Sequence, residues 1–388
     1  MKTGGWARVA FAMFAVGWGA NQFSPILIVY RHELHLDAGT LANLFAIYAA
    51  ALIPGLLAGG PLSDRFGRRR VVIPFAVLSP VATLILVFAP HSVAALESGR
   101  ALAGLCSGVV FGAATAWVRE LSADVAISAR RSALALTAGF GTGPVVAALL
   151  AQWAPHPRVV PYLPHLAIGA TAAIAILRVP ETATQTAGHI RRWPPTAVRK
   201  PSFWLAIAPA APWVFGSASL AFVVLPQEVT SANSLSVSFA GLMTALTLGS
   251  GLAIQTLARR IEGRRPLGAS VAGLLCAAAG AGAGVAALAA TSRPLAALSA
   301  VLFGASYGLV LVSGLLETER RSDPDERGAV VAVFYVLAYV GFASPYLVEG
   351  LNSALGRRGT FAAIAAAALL IAGSLGLYSG SAPAVGGQ

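Results

Sequence analysis

Long apolar runs separated by short charged segments make up almost the whole chain. Each run has about 18–24 residues, close to the ~20 residues that a helix needs to cross the hydrocarbon layer of a membrane. The pattern predicts an all-α integral membrane fold with twelve membrane-spanning helices. The predicted spans are 9–30, 41–63, 71–90, 95–118, 132–153, 161–178, 203–226, 236–257, 267–290, 295–316, 329–350 and 359–379.

The composition excludes most other classes of protein. Apolar residues make up 57% of the chain, charged residues make up 11%, and the mean hydropathy is +0.74. Soluble domains carry about 25% charged residues, so a water-soluble enzyme and a disordered chain are both excluded. The net charge of +12 lies in short loops, which leaves no basic domain for a nucleic acid. Because the sequence has no phosphate-binding loop and no metal-ligand pattern, we expect no cofactor, no metal and no enzymatic activity.

The distribution of Lys and Arg predicts the orientation in the membrane. With both termini in the cytoplasm, 21 of the 27 Lys and Arg residues fall in cytoplasmic segments and five fall on the opposite side. Loops rich in these residues stay preferentially in the cytoplasm. One miscounted span would abolish this bias, so the bias supports an even number of spans.

Sequence features recur in the second half of the chain. The matching positions are Gly55 with Gly251, 67–69 with 263–265, and Gly104 and Gly108 with Gly304 and Gly308. Such recurrence indicates duplication of a six-span unit. We therefore predict an N-terminal bundle over 1–180, a cytoplasmic linker over 181–202 and a C-terminal bundle over 203–388.

A loop rich in glycine and arginine connects spans 2 and 3, with the sequence Gly-Pro-Leu-Ser-Asp-Arg-Phe-Gly-Arg-Arg-Arg over 60–70. Gly59 and Gly60 allow close helix approach, Gly67 permits a tight turn, and Asp64 is placed to cap a neighbouring helix N-terminus. The arginines suit an anionic inner leaflet. A loop that is merely positively charged explains the arginines but neither Asp64 nor Gly67.

This loop closely resembles the signature of the major facilitator superfamily. The resemblance implies two six-helix bundles with a solute site at the midplane and alternating access. It also implies a cytoplasmic latch in which Asp64 faces the cationic or dipolar end of span 11 and Arg65 completes a charge relay. In the second half, Arg260 replaces Asp64 and Glu262 replaces the aromatic residue, so we expect an asymmetric latch. The predicted gating-loop residues are Gly60, Asp64, Arg65, Gly67, Arg68 and Arg69.

Span 4 carries an arginine followed by small residues at steps of four. Arg100, Gly104 and Gly108 therefore share one helical face, on which the two glycines form a packing seam. This series resembles a second signature of the superfamily. A charged arginine within a span usually faces a cavity or a partner, which predicts a relay or substrate-facing role for Arg100. The alternative is that its side chain reaches the nearby outer interface.

Spans 5 and 1 carry the other candidate residues. The sequence of 139–144 resembles the glycine-proline signature of exporting, antiporter-type branches, and we predict that Gly139, Gly143 and Pro144 shape a gate. An ordinary proline-kinked helix is the alternative. Asn21 and Gln22 fall near the centre of span 1 and are predicted to line a cavity. The middle of every predicted span lacks Asp and Glu, so no carboxylate proton carrier is evident there.

These features together predict secondary active transport. We expect proton-coupled export of small amphipathic compounds by a monomer in a bacterial cytoplasmic membrane, with lipid and a small-molecule substrate as the only partners. Uptake of a sugar or an organic acid by the same fold is the first alternative. A non-transporting scaffold or receptor is the second, and the short loops leave little surface for its partners.

Overall fold

Helices form nearly all of the chain that the structure describes. The computed structural model describes residues 4–88, 91–182, 194–229, 236–323 and 326–381, and no strand occurs within these ranges. The α-helices are α1 Gly5–Asn21, α2 Phe23–Glu33, α3 Ala38–Phe66, α4 Arg68–Phe88, α5 Val93–Glu120, α6 Val125–Trp153, α7 Leu163–Ile176, α8 Thr196–Arg199, α9 Pro201–Ala206, α10 Trp213–Ser219, α11 Leu225–Val229, α12 Ser236–Ala253, α13 Gln255–Arg264, α14 Gly268–Ala290, α15 Arg293–Arg321, α16 Arg327–Val340 and α17 Ser344–Ser381. Short 3-10 turns cover Val160–Tyr162 and Gly341–Ala343, and Leu220–Val224 is π-helical.

Each predicted span coincides with apolar helix over most of its described residues. Within the described ranges, nine helical runs are long and apolar enough to cross a membrane. Two shorter apolar helices, Val160–Ile176 and Trp213–Val229, correspond to predicted spans 6 and 7. The last long run, Arg327–Ser379, contains predicted spans 11 and 12, which meet at a kink where Gly356 has a φ of 68°. The predicted all-helical membrane fold is therefore confirmed.

Two predicted spans are interrupted or shortened. Within span 7, α9 ends at Ala206 and α10 begins at Trp213. Pro209 and Pro212 lie between these helices, and proline removes a backbone donor from a helix. Span 8 is predicted to reach residue 257, but α12 ends at Ala253 and the arginine-containing α13 follows.

The chain forms two compact units. The first comprises Met1–Ile190 and Ala232–Ala245, and the second comprises Arg191–Ser231 and Leu246–Gln388. Residues 183–193, which form half of the predicted linker 181–202, lie outside the described residues. The predicted division into bundles 1–180 and 203–388 stays a prediction.

Glycines allow helix backbones to touch in both units. In the first unit, a Cβ atom at Gly108 would lie 2.6 Å from the Leu56 nitrogen of α3, and one at Gly104 would lie 2.9 Å from the Tyr48 carbonyl carbon. In the second unit, a Cβ atom at Gly308 would lie 2.9 Å from the Gly251 carbonyl carbon. Positions that recur in the sequence thus make the same kind of backbone contact in each unit.

Replacing Gly108 by valine should force α3 and α5 apart. Overpacking of this kind costs about 1–3 kcal/mol, so we expect a clearly lower apparent unfolding temperature in detergent. Gly373→Val is the matched control, because Gly373 is helical and exposed and no described atom would lie within 4 Å of a Cβ atom added there. Equal unfolding temperatures for the two variants would contradict this interpretation of the seam.

Candidate functional site

Asn21 and Pro144 meet at one joint between α1 and α6. Proline has no N–H, so Pro144 leaves the Phe140 carbonyl, four residues earlier, without its usual helical donor. The Asn21 Nδ2 atom donates to this carbonyl at 2.9 Å. The Asn21 Oδ1 atom accepts from the Ser24 hydroxyl at 2.8 Å. Asn21 therefore satisfies a backbone group that the proline of another helix leaves free.

Gly139 and Gly143 bring the two backbones close enough for this bond. A Cβ atom at Gly139 would lie 2.9 Å from the Trp18 nitrogen, and one at Gly143 would lie 2.8 Å from the Trp18 oxygen. Four residues predicted separately from spans 1 and 5 thus form a single α1–α6 joint.

The joint can be tested with a compensating pair of substitutions. Asn21→Ala should leave the partly buried Phe140 carbonyl unpaired, which costs up to about 1–3 kcal/mol. Pro144→Ala restores an N–H four residues after Phe140, so the double variant N21A/P144A should regain most of the stability lost in N21A. Thermal unfolding of the two single variants and the double variant in the same detergent measures the coupling. Additive losses would show that Asn21 and Pro144 act independently.

Gln22 belongs to a second polar cluster, which joins α1, α4 and α7. Its Nε2 atom donates to Thr83 Oγ1 at 3.3 Å. Thr83 Oγ1 in turn lies 2.7 Å from Nδ1 of His165, and Ser79 Oγ lies 3.5 Å from Nε2 of the same ring. All four side chains are buried. Sequence reasoning missed Ser79, Thr83 and His165, although an ionisable residue within a predicted span was itself a signal.

Arg100 lies in the interior of the first unit and does not reach its surface. The side chain is 1% exposed, so the predicted alternative of an interfacial arginine does not describe it. Nε donates to the Leu44 carbonyl at 3.1 Å and Nη1 donates to the Ala20 carbonyl at 3.2 Å. The guanidinium carbon is 4.3 Å from the Phe23 ring centroid and 4.6 Å from that of Tyr48. Arg100 therefore links α5 with the α1–α2 break and with α3.

Arg68 is the centre of a charged cluster where α3, α4 and α5 have their ends. Its Nη1 atom is 2.5 Å from Asp64 Oδ1 and 2.6 Å from Ser63 Oγ. Its Nε and Nη2 atoms donate to Glu120 Oε1 at 3.1 and 2.8 Å. The hydroxyl of Thr182 donates to the other oxygen of Glu120. This cluster holds three helix ends and the segment after α7 together.

The carboxylate at the beginning of α4 is Glu181, which sequence reasoning missed. It accepts the backbone N–H groups of Arg68 and Arg69 at 2.8 and 2.9 Å, a favourable placement of negative charge at a helix N-terminus. The same carboxylate lies against Gly67, whose φ of +100° suits glycine at this tight turn. Asp64, at 65% side-chain exposure, pairs with Arg68. Its predicted contact with span 11 stays a prediction.

Two other loop residues differ from expectation in their contacts. Arg65 stacks on the ring of Phe66, with 5.2 Å from its guanidinium carbon to the ring centroid, and Arg68 is the arginine that joins the carboxylates. Gly59 rather than Gly60 makes the close helix approach: a Cβ atom at Gly59 would lie 2.8 Å from the Val109 Cα, whereas no described atom would lie within 4 Å of one at Gly60.

The second unit also has a charged cluster, which is built around an acid. Glu262 of α13 is fully buried and accepts the backbone N–H groups of Leu267 and Ala269 at 2.7 and 3.1 Å. It also accepts from Ser313 Oγ at 2.8 Å and pairs with Arg320 at 3.3 Å. Arg320 follows Glu120 by 200 residues. The more buried member of this ion pair is thus an acid, whereas in the first unit's pair of Arg68 and Glu120 it is the arginine.

Glu317 completes this second cluster. It binds Arg320 at 2.6 Å and Arg321 at 2.7 Å. Burial of the Glu262 carboxyl raises its pKa, and the neighbouring Glu317 acts in the same direction. The charged side chains buried in this cluster are therefore acids, Glu262 and Glu317, whereas the first unit's cluster buries Arg68.

Comparison with known proteins decides the family. The family model of the Major Facilitator Superfamily matches residues 9–345. The chain belongs to the Major Facilitator Superfamily. It is thus a multi-pass membrane protein, in keeping with the nine long and two shorter apolar helical runs found among the described residues.

The relatives of this chain align with it over only part of their own length. The multidrug efflux pump LfrA of Mycolicibacterium smegmatis is 30% identical over 131 residues, which are 32% of this chain and 25% of the pump. Trehalose transporter 1 of Drosophila melanogaster is 33% identical over 107 residues, which are 26% of this chain and 12% of that protein. The chain thus matches about a quarter or less of the length of these relatives. Both relatives are transporters, not enzymes.

Solved structures of transporters share the fold along nearly the whole chain. A POT family transporter in complex with 5-aminolevulinic acid has a TM-score of 0.80 and 13% identity, and the match covers 97% of this chain and 96% of that one. At this identity the likeness concerns the fold alone. It agrees with the helical transporter fold that the family match indicates.

Proposed function

We propose that the chain is a secondary active transporter that exports small amphipathic compounds by alternating access, with proton entry as the energy source. The observation that carries export is the α1–α6 joint of Asn21, Gly139, Gly143 and Pro144, which occupies the glycine-proline segment resembling exporting branches. The partial likeness to a multidrug efflux pump supports the same direction.

The proposal includes the membrane in which the transporter lies, its orientation and its oligomeric state. The excess of Lys and Arg in one set of loops supports cytoplasmic termini in a bacterial inner membrane. We propose a monomer that needs no cofactor and contacts only lipid and its small-molecule substrate. Gly60, Asp64, Arg65, Gly67, Arg68 and Arg69 are proposed to gate the cytoplasmic side.

Transport into everted membrane vesicles tests the proposal, with ethidium as the probe. Vesicles that contain the protein should accumulate ethidium when respiration acidifies their interior, and a protonophore should release it. Vesicles without the protein are the control. Equal ethidium accumulation with and without a proton gradient would contradict proton coupling.

Uptake is the second candidate, because the trehalose transporter also matches the chain. It predicts accumulation of radiolabelled trehalose in right-side-out vesicles and no ethidium accumulation in everted ones. Measuring both probes on the same preparation decides between the two directions of transport.

A further inference from the structure

His165 is a buried ionisable side chain that belongs neither to the gating loop nor to the α1–α6 joint. It is 1% exposed, and it lies on α7 facing α1 and α4. A Cβ atom at Gly19 would overlap the imidazole ring, so the glycine makes room for this ring. Ionisable residues inside a membrane protein are costly and usually mark ion or proton pathways.

The hydrogen bonds of His165 form a chain that ends on an amide with an unused acceptor. The chain runs from Nδ1 of His165 to Thr83 Oγ1 at 2.7 Å and on to Gln22 Nε2 at 3.3 Å. The Oε1 atom of Gln22 is buried and has no hydrogen-bond partner among the described residues. Ser79 Oγ lies at 3.5 Å from the other ring nitrogen.

This series of hydrogen bonds can run in either of two directions. With neutral His165, the Gln22 amide donates to Thr83 Oγ1 and the Thr83 hydroxyl donates to Nδ1. With a proton added to Nδ1, both ring nitrogens become donors. Thr83 then accepts from Nδ1–H and turns its own hydroxyl towards Gln22. A half-turn of the Gln22 amide presents Oε1 to that hydroxyl, so the atom without a partner gains one.

Few other charges act on this ring. The elements packed against α7 are α1, α4 and the turn Val160–Tyr162. Their charged side chains are Arg8, eleven residues from Gly19, and 68–70, nine or more residues from Ser79; these separations are roughly 14–16 Å along a helix at 1.5 Å per residue. The nearest titratable group in the sequence is Tyr162, whose hydroxyl pairs with that of Tyr30 at 2.8 Å. The field of Arg100 acts on this tyrosine pair.

We propose that His165 is the proton-binding group of the first unit, and that Thr83 and Gln22 report its protonation to α4 and α1 by reversing their hydrogen bonds. The proposal rests on the proposed proton-coupled transport. A proton from water on one side of the membrane binds the neutral imidazole to give imidazolium, and the same proton leaves to the other side after the conformational change. No other bond forms or breaks.

Solid-state NMR of ¹⁵N-histidine-labelled protein in nanodiscs tests the site without any substrate. The chain has six histidines, and His165→Gln identifies the signals of His165 by their loss. We expect these signals to pass from one neutral tautomer to imidazolium as the pH is lowered from about 9 towards 4. Thr83→Val should move the midpoint, and Thr83→Ser should restore it. A single neutral tautomer throughout this range would overturn the proposal.

Proteoliposomes containing ethidium test the coupling. His165→Gln should abolish transport driven by a pH gradient while preserving ethidium exchange at equal pH, and the exposed His32→Gln should preserve both. Gradient-driven transport at the wild-type rate in His165→Gln would overturn the proposal. Absence of both activities in the wild-type protein would instead contradict the proposed function, and the NMR titration would still decide whether His165 binds a proton.

Discussion

Replacing Glu262 by alanine should cause one of the largest losses of stability available in this chain. The carboxylate is fully buried and binds two backbone N–H groups, a hydroxyl and Arg320. Alanine would leave the backbone N–H groups of Leu267 and Ala269 and the Ser313 hydroxyl buried without this acceptor, at about 1–3 kcal/mol each. Glutamine keeps an acceptor for the first turn of α14, so Glu262→Gln should lose clearly less. Thermal unfolding in detergent should rank the proteins as wild type, then E262Q, then E262A.

The pH dependence of this comparison has a definite sign. Because burial raises the pKa of Glu262, the folded protein keeps a proton that the unfolded chain releases near the usual glutamate pKa of about 4.3. The stabilisation by this group is fully present below that value and is lost as pH rises through the raised pKa. Glutamine carries no such proton. The stability of the wild type relative to E262Q should therefore fall as pH rises.

Glu319→Ala provides the control for both measurements. Glu319 has a side-chain exposure of 60% and lies 3.6 Å from Arg327, and an exposed pair of this kind contributes about 0–1 kcal/mol. If E262A unfolded at the same temperature as E319A, the buried cluster would not stabilise the second unit. If the difference between wild type and E262Q did not change with pH, the raised pKa would be wrong.

The fold was largely predictable because its main signal is local. A run of apolar residues long enough to cross a membrane specifies a helix without information from the rest of the chain. The break in predicted span 7 was harder to place, because Pro209 and Pro212 lie in a run that is otherwise continuously apolar. A proline within a span either kinks or ends the helix, and packing decides which. In span 5 the helix continues through Pro144.

Several residues of the candidate site could be predicted from the sequence, but the contacts between them could not. Asn21 was identified as a polar residue near the centre of a span, and Pro144 through the resemblance of 139–144 to a glycine-proline signature. Yet 119 residues separate Asn21 from its acceptor Phe140. Glu181 likewise lies 113 residues from the N–H group of Arg68. Nothing in local composition fixes such pairings. The buried acid of the second unit was visible only in part from the sequence, through Glu262 at the position of an aromatic residue.

Substitutions of Arg100 should give the other large effect on stability. Lysine and methionine at this position separate the cost of the buried charge from the contacts that compensate for it. Placing arginine within a span costs about 2.5–3.5 kcal/mol. Within the described ranges no ion pair includes Arg100. Its compensation is two hydrogen bonds to carbonyls, at about 1.5–3 kcal/mol each, and stacking on Phe23 and Tyr48, at up to about 2 kcal/mol.

Lysine keeps the cost of the buried charge and loses much of the compensation. Its ammonium lacks the planar fork that reaches both carbonyls and stacks on rings, so Arg100→Lys should lose about 2–5 kcal/mol, the sum of one such hydrogen bond and the weaker stacking. Methionine removes the charge together with the donors, so the relieved insertion cost offsets part of the lost compensation. We therefore expect Arg100→Met to be more stable than Arg100→Lys, the reverse of the order that conservation of charge would suggest.

Ethidium transport should rank the two variants in the opposite order. If the role predicted for Arg100 requires a cation, Arg100→Met loses transport and Arg100→Lys retains a measurable fraction of it. Arg70→Lys, at an exposed position of α4, is the matched control and should leave both properties unchanged. Should the methionine variant transport ethidium at the wild-type rate, Arg100 would be a packing residue alone, and the cation needed for coupling would have to lie elsewhere in the chain.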